Sequence, residues 1–228
     1  MSIAITKTGL LKTEDFYESS SISFSGLPST YTQLEYLESS GTQQIDCGFK
    51  LNPETDSFRI KFRTVTADNG MIFANVSGKY FWLYDYKNNN SNTIYTNCNG
   101  GSQIYIYNAP IDTGVDHICY YNNRSSYYDG PLKGTFSSSV NTTTSSNMYL
   151  FSRQDVNYYK GRIYYLEVWS NGLLTHHLIP AKNSSDVLGM YDLCKGTFLT
   201  NSGTGNFTTG TTLSNHDSQI VANDFIEV

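Results

Sequence analysis

Short runs of alternating apolar and polar residues recur about every 10–15 residues along this chain, separated by clusters of Gly, Asn, Ser and Asp. The clearest run is Phe58-Arg59-Ile60-Lys61-Phe62-Arg63, in which three apolar residues alternate with three cations. Because successive side chains of a strand point to opposite faces, this run predicts one buried and one solvated face. Helical periodicity is nearly absent. The pattern predicts an all-β protein of about ten to twelve short strands, an antiparallel β-sandwich of the jelly-roll type.

Turn residues mark where the predicted strands reverse direction. Asn171-Gly172 and Asp129-Gly130 favour the left-handed turns of tight β-hairpins, and another hairpin is predicted around Asn122-Asn123. The polar segment 87–92 is predicted to be a loop. The apolar positions of 161–169 depart from strict alternation, which predicts a β-bulge near Tyr164-Tyr165.

The composition limits the class of protein. Only 15% of the 228 residues are charged, whereas the chain holds 19 Tyr and 18 Gly, which is typical of a β-rich protein on a virion, on a cell surface or outside the cell. The formal net charge of −5 argues against a nucleic-acid partner, because phosphate binding depends on clustered Lys and Arg. The sequence has no run of 18 apolar residues and no signal-peptide pattern, so we expect neither membrane insertion nor signal-dependent export.

The cysteines are predicted to be free and mostly buried thiols. Cys47, Cys98, Cys119 and Cys194 form no CxxC pair, and no His lies at the spacing of a zinc site. Without a signal peptide, an oxidising compartment is not expected, so no disulfide is predicted.

The strand pattern occupies residues 31–210 and leaves two tails, 1–30 and 211–228, that are poor in apolar residues. Residues 14–18 and 223–227 each place an aromatic residue between acidic ones. One interpretation is coincidence within short peptides. The other is that both tails dock on partner proteins, with these residues as anchors: Phe16, Tyr17, Phe225 and Ile226.

Several stretches, in this order along the chain, resemble one protein family: LEYLESSGTQQID (34–46), NMYLFSR (147–153), GRIYYLEVW (161–169), VLGMYDL (187–193) and NSGTG (201–205). The combination resembles the laminin-G-like, concanavalin A-like sandwich of proteins from gut phages and their bacterial hosts. Residues 1–23 also resemble N-terminal segments of phage virion proteins, those of crAss-like phages included. The resemblance implies two stacked antiparallel sheets, with loops that hold calcium and sugar in some members.

No arrangement of carboxylates or nucleophiles points to catalysis. Concanavalin-like glycosidases carry paired carboxylates on one strand face, but Glu167 is isolated, and Glu35 and Glu38 are predicted on opposite faces. Glu54 and Asp56 have the right spacing but lie in a predicted loop. The adjacent residues His176-His177 are interpreted as a structural pair. We therefore assign no catalytic residue and expect that the protein is not an enzyme.

Aromatic residues form the main candidate for a binding surface. Such residues stack on sugar rings, dominate protein interfaces and also fill cores, and the sequence leaves these three roles open. Tyr80, Trp82, Tyr84 and Tyr86 are predicted to share one strand face, and Tyr105 and Tyr107 to share another. These six residues are the predicted carbohydrate or partner surface.

Calcium is the one metal that the sequence makes plausible. Asp side chains in loops are typical calcium ligands, and four aspartates lie in predicted loops: Asp112, Asp116, Asp129 and Asp155. No EF-hand-like string of ligands is present, so no cofactor and no metal ligand is assigned.

Two functions remain. The first is a non-enzymatic phage virion protein, made in the host cytoplasm, that decorates the capsid, forms a head fibre or belongs to the tail. It would display a lectin-like sandwich, bind other virion proteins through both tails and exist as an oligomer or within an assembly. The alternative is a carbohydrate-binding, receptor-recognition module of a phage tail or bacterial surface protein, with host-surface glycans as its partners.

Overall fold

The computed structural model describes residues 26–76, 80–88, 91–98, 104–105, 113–136 and 143–213. These residues form strands, turns and loops, and none of them is helical. The strands are β1 (Tyr31–Gln33), β2 (Leu37–Ser40), β3 (Ile45–Asp46), β4 (Asp56–Thr66), β5 (Gly70–Asn75), β6 (Phe81–Asn88), β7 (Ser91–Cys98), β8 (Ile104–Tyr105), β9 (His117–Asn122), β10 (Ser125–Tyr128), β11 (Leu132–Thr135), β12 (Met148–Leu150), β13 (Lys160–Ser170), β14 (Leu173–Asn183), β15 (Leu188–Asp192), β16 (Thr197–Thr200) and β17 (Thr208–Thr209).

Two antiparallel sheets form a sandwich, as predicted. The large sheet has 11 strands and the order β11-β10-β9-β4-β13-β14-β15-β16, with β1 paired to β14, β2 to β13 and β17 to β2. The small sheet has the order β3-β12-β5-β6-β7-β8. The strands outnumber the prediction because several have only two to four residues, too few to show a period of two.

The central strand β4 confirms the predicted alternation. Phe58, Ile60 and Phe62 are fully buried, whereas the three cations between them face outward and are partly exposed. The Phe58 ring packs on Phe73 of β5 at 5.1 Å and on Phe81 of β6 at 5.3 Å between centroids. These contacts join the two sheets in one apolar core, which is the dominant stabilising element of a sandwich.

The predicted turns are largely confirmed. Asn171-Gly172 joins β13 to β14 with φ of 50° and 80°, and Asp129-Gly130 joins β10 to β11 with φ of 49° and 103°. Between β9 and β10 the left-handed residues are Asn123 and Arg124, so this turn lies one residue beyond its predicted position. The bulge of β13 against β4 falls between Ile163 and Tyr165, as predicted.

Two predicted segments have different extents. The expected loop 87–92 is mostly strand, because β6 continues to Asn88 and β7 begins at Ser91, paired with it in a tight hairpin. The apolar pattern of 147–153 also predicts a strand, but that strand ends at Leu150, because Phe151 adopts a left-handed φ of 66° that a strand cannot continue through.

The four cysteines are free thiols, as predicted. Cys47, Cys98 and Cys119 are buried, and Cys194 is half-buried. Burial raises the pKa of the Cys47 thiol well above its usual value, and the nearby Asp46 carboxylate raises it further. Such thiols are poor nucleophiles and act as small apolar groups.

The two ends of the described chain lie side by side. Leu27 and Tyr31 pack on Ile179 and Tyr191, on the face of the large sheet opposite the main core. The Leu213 backbone N–H donates to the Gln33 carbonyl at 3.0 Å. The predicted anchors of both tails lie outside the described residues: Phe16, Tyr17, Phe225 and Ile226.

The described part of the chain contains no helix with the length and hydropathy of a membrane span.

Candidate functional site

The outer face of the small sheet carries a cluster of aromatic side chains. Alternation along β6 sends Phe81 and Leu83 into the main core and Trp82 and Tyr84 to the opposite face. We name this cluster the aromatic row and define it as Tyr80, Trp82, Tyr84, Tyr86 and Tyr95. Four of its members were predicted to share a face, and the structure brings these four together.

Members of the aromatic row pack on one another. Tyr80 and Trp82 stack with centroids 4.2 Å apart and an interplanar angle of 20°. Tyr84 meets Tyr86 at 5.8 Å and Tyr95 at 4.9 Å. Tyr84 and Tyr95 are each 8% exposed, whereas Tyr86 is 37% exposed and Tyr80 and Trp82 are half-buried. The first two therefore support the row, and the other three present its surface to solvent.

Sequence reasoning missed Tyr95, because its place depends on pairing between strands. It lies opposite Tyr84 in the β6–β7 register and opposite Tyr105 in the β7–β8 register. The β6–β7 hairpin sets this register, and the residues that close it, 87–92, were predicted to be a loop. The side chain of Tyr105 and the whole of Tyr107 lie outside the described residues.

A second set of residues crosses the small sheet in register, from one strand to the next. It consists of Asp46, Tyr149, Ala74, Trp82 and Asn97. The Trp82 indole N–H donates to the Asn75 carbonyl of the neighbouring strand at 3.1 Å. This bond fixes the orientation of the indole, and Ala74 separates Trp82 from Tyr149 in the register of the sheet.

The loop 151–158 borders this surface and is conformationally strained. Four non-glycine residues of the loop have left-handed φ, namely Phe151, Gln154, Asp155 and Asn157. Such conformations persist only where surrounding contacts impose them. Here Gln44 imposes them: its Oε1 accepts from the Ser152 hydroxyl at 2.5 Å and from the Asp155 N–H at 2.8 Å.

Polar groups surround the aromatic surface. The Arg153 guanidinium lies 5.0 Å from the Trp82 ring centroid. The Tyr149 hydroxyl donates to Asp46 at 3.3 Å, and the Asn147 amide donates to the same carboxylate at 3.0 Å. Burial, together with the Asp46 charge, raises the pKa of Tyr149 to about 12, so this hydroxyl remains a donor at neutral pH. The surface thus combines aromatic rings with fixed hydrogen-bonding groups.

The loop aspartates considered for calcium belong to separate hydrogen-bonding networks. Asp116 accepts from Arg63 at 2.6 Å and from the Tyr164 hydroxyl at 2.7 Å. Asp129 pairs with His117, and Asp155 accepts from Gln44 at 2.7 Å. Asp112 lies outside the described residues. In the described ranges, no three His, Cys, Asp or Glu side chains form a group that could hold a metal ion.

The acidic residues considered for catalysis are held in other contacts. Glu167 accepts from Arg59 at 2.7 Å, and Glu38 accepts from Arg162 at 2.5 Å on the outer face of the large sheet. Glu35 accepts from the Thr211 hydroxyl at 3.3 Å. His176 pairs with Asp192 at 2.7 Å and stacks on Phe49, which is the structural role predicted for it.

Comparison with known proteins identifies the fold. A protein assigned to carbohydrate binding from Bacteroides ovatus is similar over 80% of this chain and 62% of its own, with 9% identity and a TM-score of 0.50. A heptameric SAP-like pentraxin from Limulus polyphemus is similar over 63% of this chain and 76% of its own, with 14% identity and a TM-score of 0.43. The third is domain 4 of AbnA, a GH43 extracellular arabinanase from Geobacillus stearothermophilus, solved in complex with arabinotriose. It is similar over 62% of this chain and 81% of its own, with 15% identity and a TM-score of 0.40.

The similarity to the Bacteroides ovatus protein, together with the two antiparallel sheets, establishes the fold as a jelly-roll sandwich of the concanavalin-like type. The chain spans less than two thirds of the Bacteroides ovatus protein, and at 9% identity the likeness concerns the fold. No protein-family model matches the chain, and no curated protein matches it by sequence.

Proposed function

We propose that this protein is a non-catalytic carbohydrate-binding module that binds glycans on the outer face of its small sheet. The observation that carries the proposal is the aromatic row beside fixed polar groups. Tyr80, Trp82 and Tyr86 offer ring surface for stacking on a sugar, and Arg153 and Tyr149 offer hydrogen bonds that orient its hydroxyls. Apolar and aromatic surface with a few placed polar groups is the usual composition of a ligand site.

The fold supports the same proposal in a general way. The Bacteroides ovatus protein that shares this architecture is assigned to carbohydrate binding. A non-catalytic role is supported by the ion pairs of Glu167 and Glu38, which leave these two carboxylates committed to arginines. An assay for hydrolysis of bacterial capsular polysaccharide is expected to detect no product.

Glycan-array binding tests the proposal, with affinities measured by titration for each array hit. Trp82→Ala removes a ring that stacks on the sugar and is expected to reduce the affinity at least tenfold. Tyr84→Ala removes a buried ring on which the aromatic row packs, and it is expected to reduce the affinity to a similar extent. Trp169→Ala is the matched control, because Trp169 is the second of two tryptophans and lies in β13 of the other sheet. Unchanged binding by both Trp82→Ala and Tyr84→Ala contradicts this site.

A second candidate function is attachment to a phage particle, which the adjacent chain ends favour. Thr211–Leu213 run beside Gln33–Glu35, so the last described residues lie against the first strand region of the sandwich. In this proposal both tails dock on one partner while the sandwich faces outward. The partners are then other virion proteins, and the glycan surface meets the host.

Truncation tests the attachment proposal. Variants that lack 1–25 or 214–228 keep Leu27 and Tyr31, which pack on the large sheet, and Leu213, which bonds to Gln33, so they are expected to fold. They are expected to be lost from purified particles when they replace the full chain during infection. Copurification at full occupancy without either tail contradicts attachment through the tails.

A further inference from the structure

Arg153 differs from the other arginines of this chain in its partners. The sequence contains five arginines, and all five lie in the described residues. Four of them lie within 4.0 Å of a carboxylate: Arg59, Arg63, Arg124 and Arg162. Arg153 makes no such ion pair with a described residue, although it is half-buried.

The guanidinium of Arg153 is held against the aromatic row. It lies 5.0 Å from the Trp82 centroid, and its Nε is buried without a hydrogen-bond partner among the described residues. A cation–π contact compensates part of the lost hydration. It does not satisfy the N–H donors, which are costly to leave unpaired when they are removed from water.

The position of Arg153 is imposed by its loop. Its backbone N–H donates to the Val156 carbonyl at 3.0 Å, and Gln44 binds the flanking residues Ser152 and Asp155. A cation that is fixed before binding loses less conformational entropy when a ligand arrives. The geometry is therefore that of a preorganised anion receptor beside a stacking surface.

Neighbouring carboxylates do not complete this site. Asp155 is directed to the Gln44 amide at 2.7 Å, and Asp46 accepts from Asn147 and from the Gly48 N–H at 2.9 Å. Both carboxylates are thus engaged with other donors among the described residues. Within the described residues, the acceptor for this guanidinium is missing.

We propose that the ligand supplies this acceptor, and that the site takes an acidic glycan whose sugar ring carries a carboxylate, as uronic and sialic acids do. The ring stacks on Trp82 and Tyr80, and the carboxylate accepts from the two terminal Nη groups of Arg153, because the buried Nε is out of a ligand's reach. A planar guanidinium matches a carboxylate with two parallel hydrogen bonds, which a neutral hydroxyl cannot reproduce. This inference rests on the proposed carbohydrate-binding function and specifies its ligand class.

The experiment uses the full chain in a Trp169→Phe background, so that fluorescence reports Trp82 alone. The probes are uronic-acid and sialic-acid oligosaccharides, each paired with its carboxyl-reduced counterpart. We expect at least one acidic probe to bind about tenfold or more tighter than its reduced partner, with the difference falling as NaCl rises. Arg153→Gln is expected to abolish the affinity difference between acidic and reduced probes. Arg153→Lys keeps the positive charge but loses the planar guanidinium, and it is expected to retain part of that difference.

Arg124→Gln is the matched control and is expected to leave affinities unchanged, because Arg124 pairs loosely with Glu54 at 3.9 Å in the β9–β10 turn, away from the small sheet. Equal affinity of the wild type for acidic and reduced probes overturns the acidic-glycan inference but leaves carbohydrate binding standing. Absence of binding to any glycan overturns both. The comparison of acidic and reduced probes uses the wild type alone, so it tests the inference even if Arg153→Gln does not fold.

Discussion

The side-chain amide of Gln44 donates to the Asp155 carboxylate at 2.7 Å, although the two residues lie 111 positions apart. Gln44 is 3% exposed and also accepts from Ser152, so it ties β3 to the strained loop that carries Arg153. The loop conformation is thus a tertiary property, held by this buried amide together with backbone bonds from Phe151 to Ile72 and from Met71 to Asn157.

Gln44→Ala tests this role. The substitution leaves the Ser152 hydroxyl and the Asp155 N–H without their acceptor, which is expected to lower the free energy of unfolding by about 2–3 kcal/mol. Glycan affinity is expected to fall as well, because Arg153 is no longer preorganised. Urea denaturation and fluorescence titration measure the two effects. Gln154→Ala in the same loop is the control, and an equal effect of both variants contradicts the role assigned to Gln44.

Asp85 is expected to make stability depend on pH. Its carboxylate is fully buried between the sheets, and burial, opposed in part by the Thr64 hydroxyl, raises its pKa from 3.8 to about 7. The unfolded chain releases this proton near pH 4 and the folded chain near pH 7. The contribution of Asp85 to stability therefore falls as the pH rises from about 4 to about 7, by about 4 kcal/mol at 1.36 kcal/mol per pKa unit.

Unfolding of the wild type and of Asp85→Asn between pH 4 and pH 9 measures this contribution as the difference between the two proteins. That comparison cancels other titrating groups, including His177, whose pKa is lowered by burial and whose effect has the opposite sign. Asp186→Asn replaces an exposed carboxylate and serves as the control. A pH-independent difference between wild type and Asp85→Asn disproves the assignment.

Gly161 is expected to tolerate no side chain. A Cβ at this position of β13 would collide with the Arg63 carbonyl oxygen and the Tyr159 ring. Gly161→Ala should lower the free energy of unfolding by about 1–3 kcal/mol or more, as overpacking of a core does. Gly26→Ala, where nothing lies within 4 Å of the added carbon, is the matched control. Equal thermal midpoints of the two variants would show that the sheets adjust freely at Gly161.

Residues 26–213 are expected to fold without the remaining segments. Leu27 and Tyr31 pack on the large sheet, and Leu213 closes the final backbone bond to Gln33. A fragment with these bounds should unfold cooperatively at the midpoint of the full chain. Starting the fragment at residue 34 removes Tyr31, whose ring lies 4.7 Å from Tyr191, and should lower the midpoint by several degrees. A large loss in the longer fragment contradicts this boundary.

Local signals predicted much of the sandwich. The alternation of Phe58 to Arg63 reports directly which side of β4 is buried, since the period of a strand is two. Asn171-Gly172 specifies its turn through the ease with which these residues adopt positive φ. Gly189 and Gly203 lie where an added Cβ would collide with the backbone carbonyls of Leu199 and Thr42, which is the kind of close approach that favours glycine.

The candidate site was only partly predictable. Trp82 and Tyr84 share a face by strand geometry alone, and this was inferred. The partnership of Tyr84 with Tyr95 depends on hairpin register, and that of Trp82 with Arg153 depends on a loop from a distant part of the chain. Neither relationship has a local signal.

The sequence by itself determined the all-β class, the inward faces of the long strands and the main turns, because each depends on residues close together in the chain. Only the tertiary structure decided which of the many tyrosines support the aromatic row and which aspartates already have partners. It also decided that Arg153 contacts an aromatic ring and, alone among the five arginines, forms no ion pair with a described carboxylate. Those outcomes depend on how strands pair and loops cross the sandwich, and the packing of distant residues sets that arrangement.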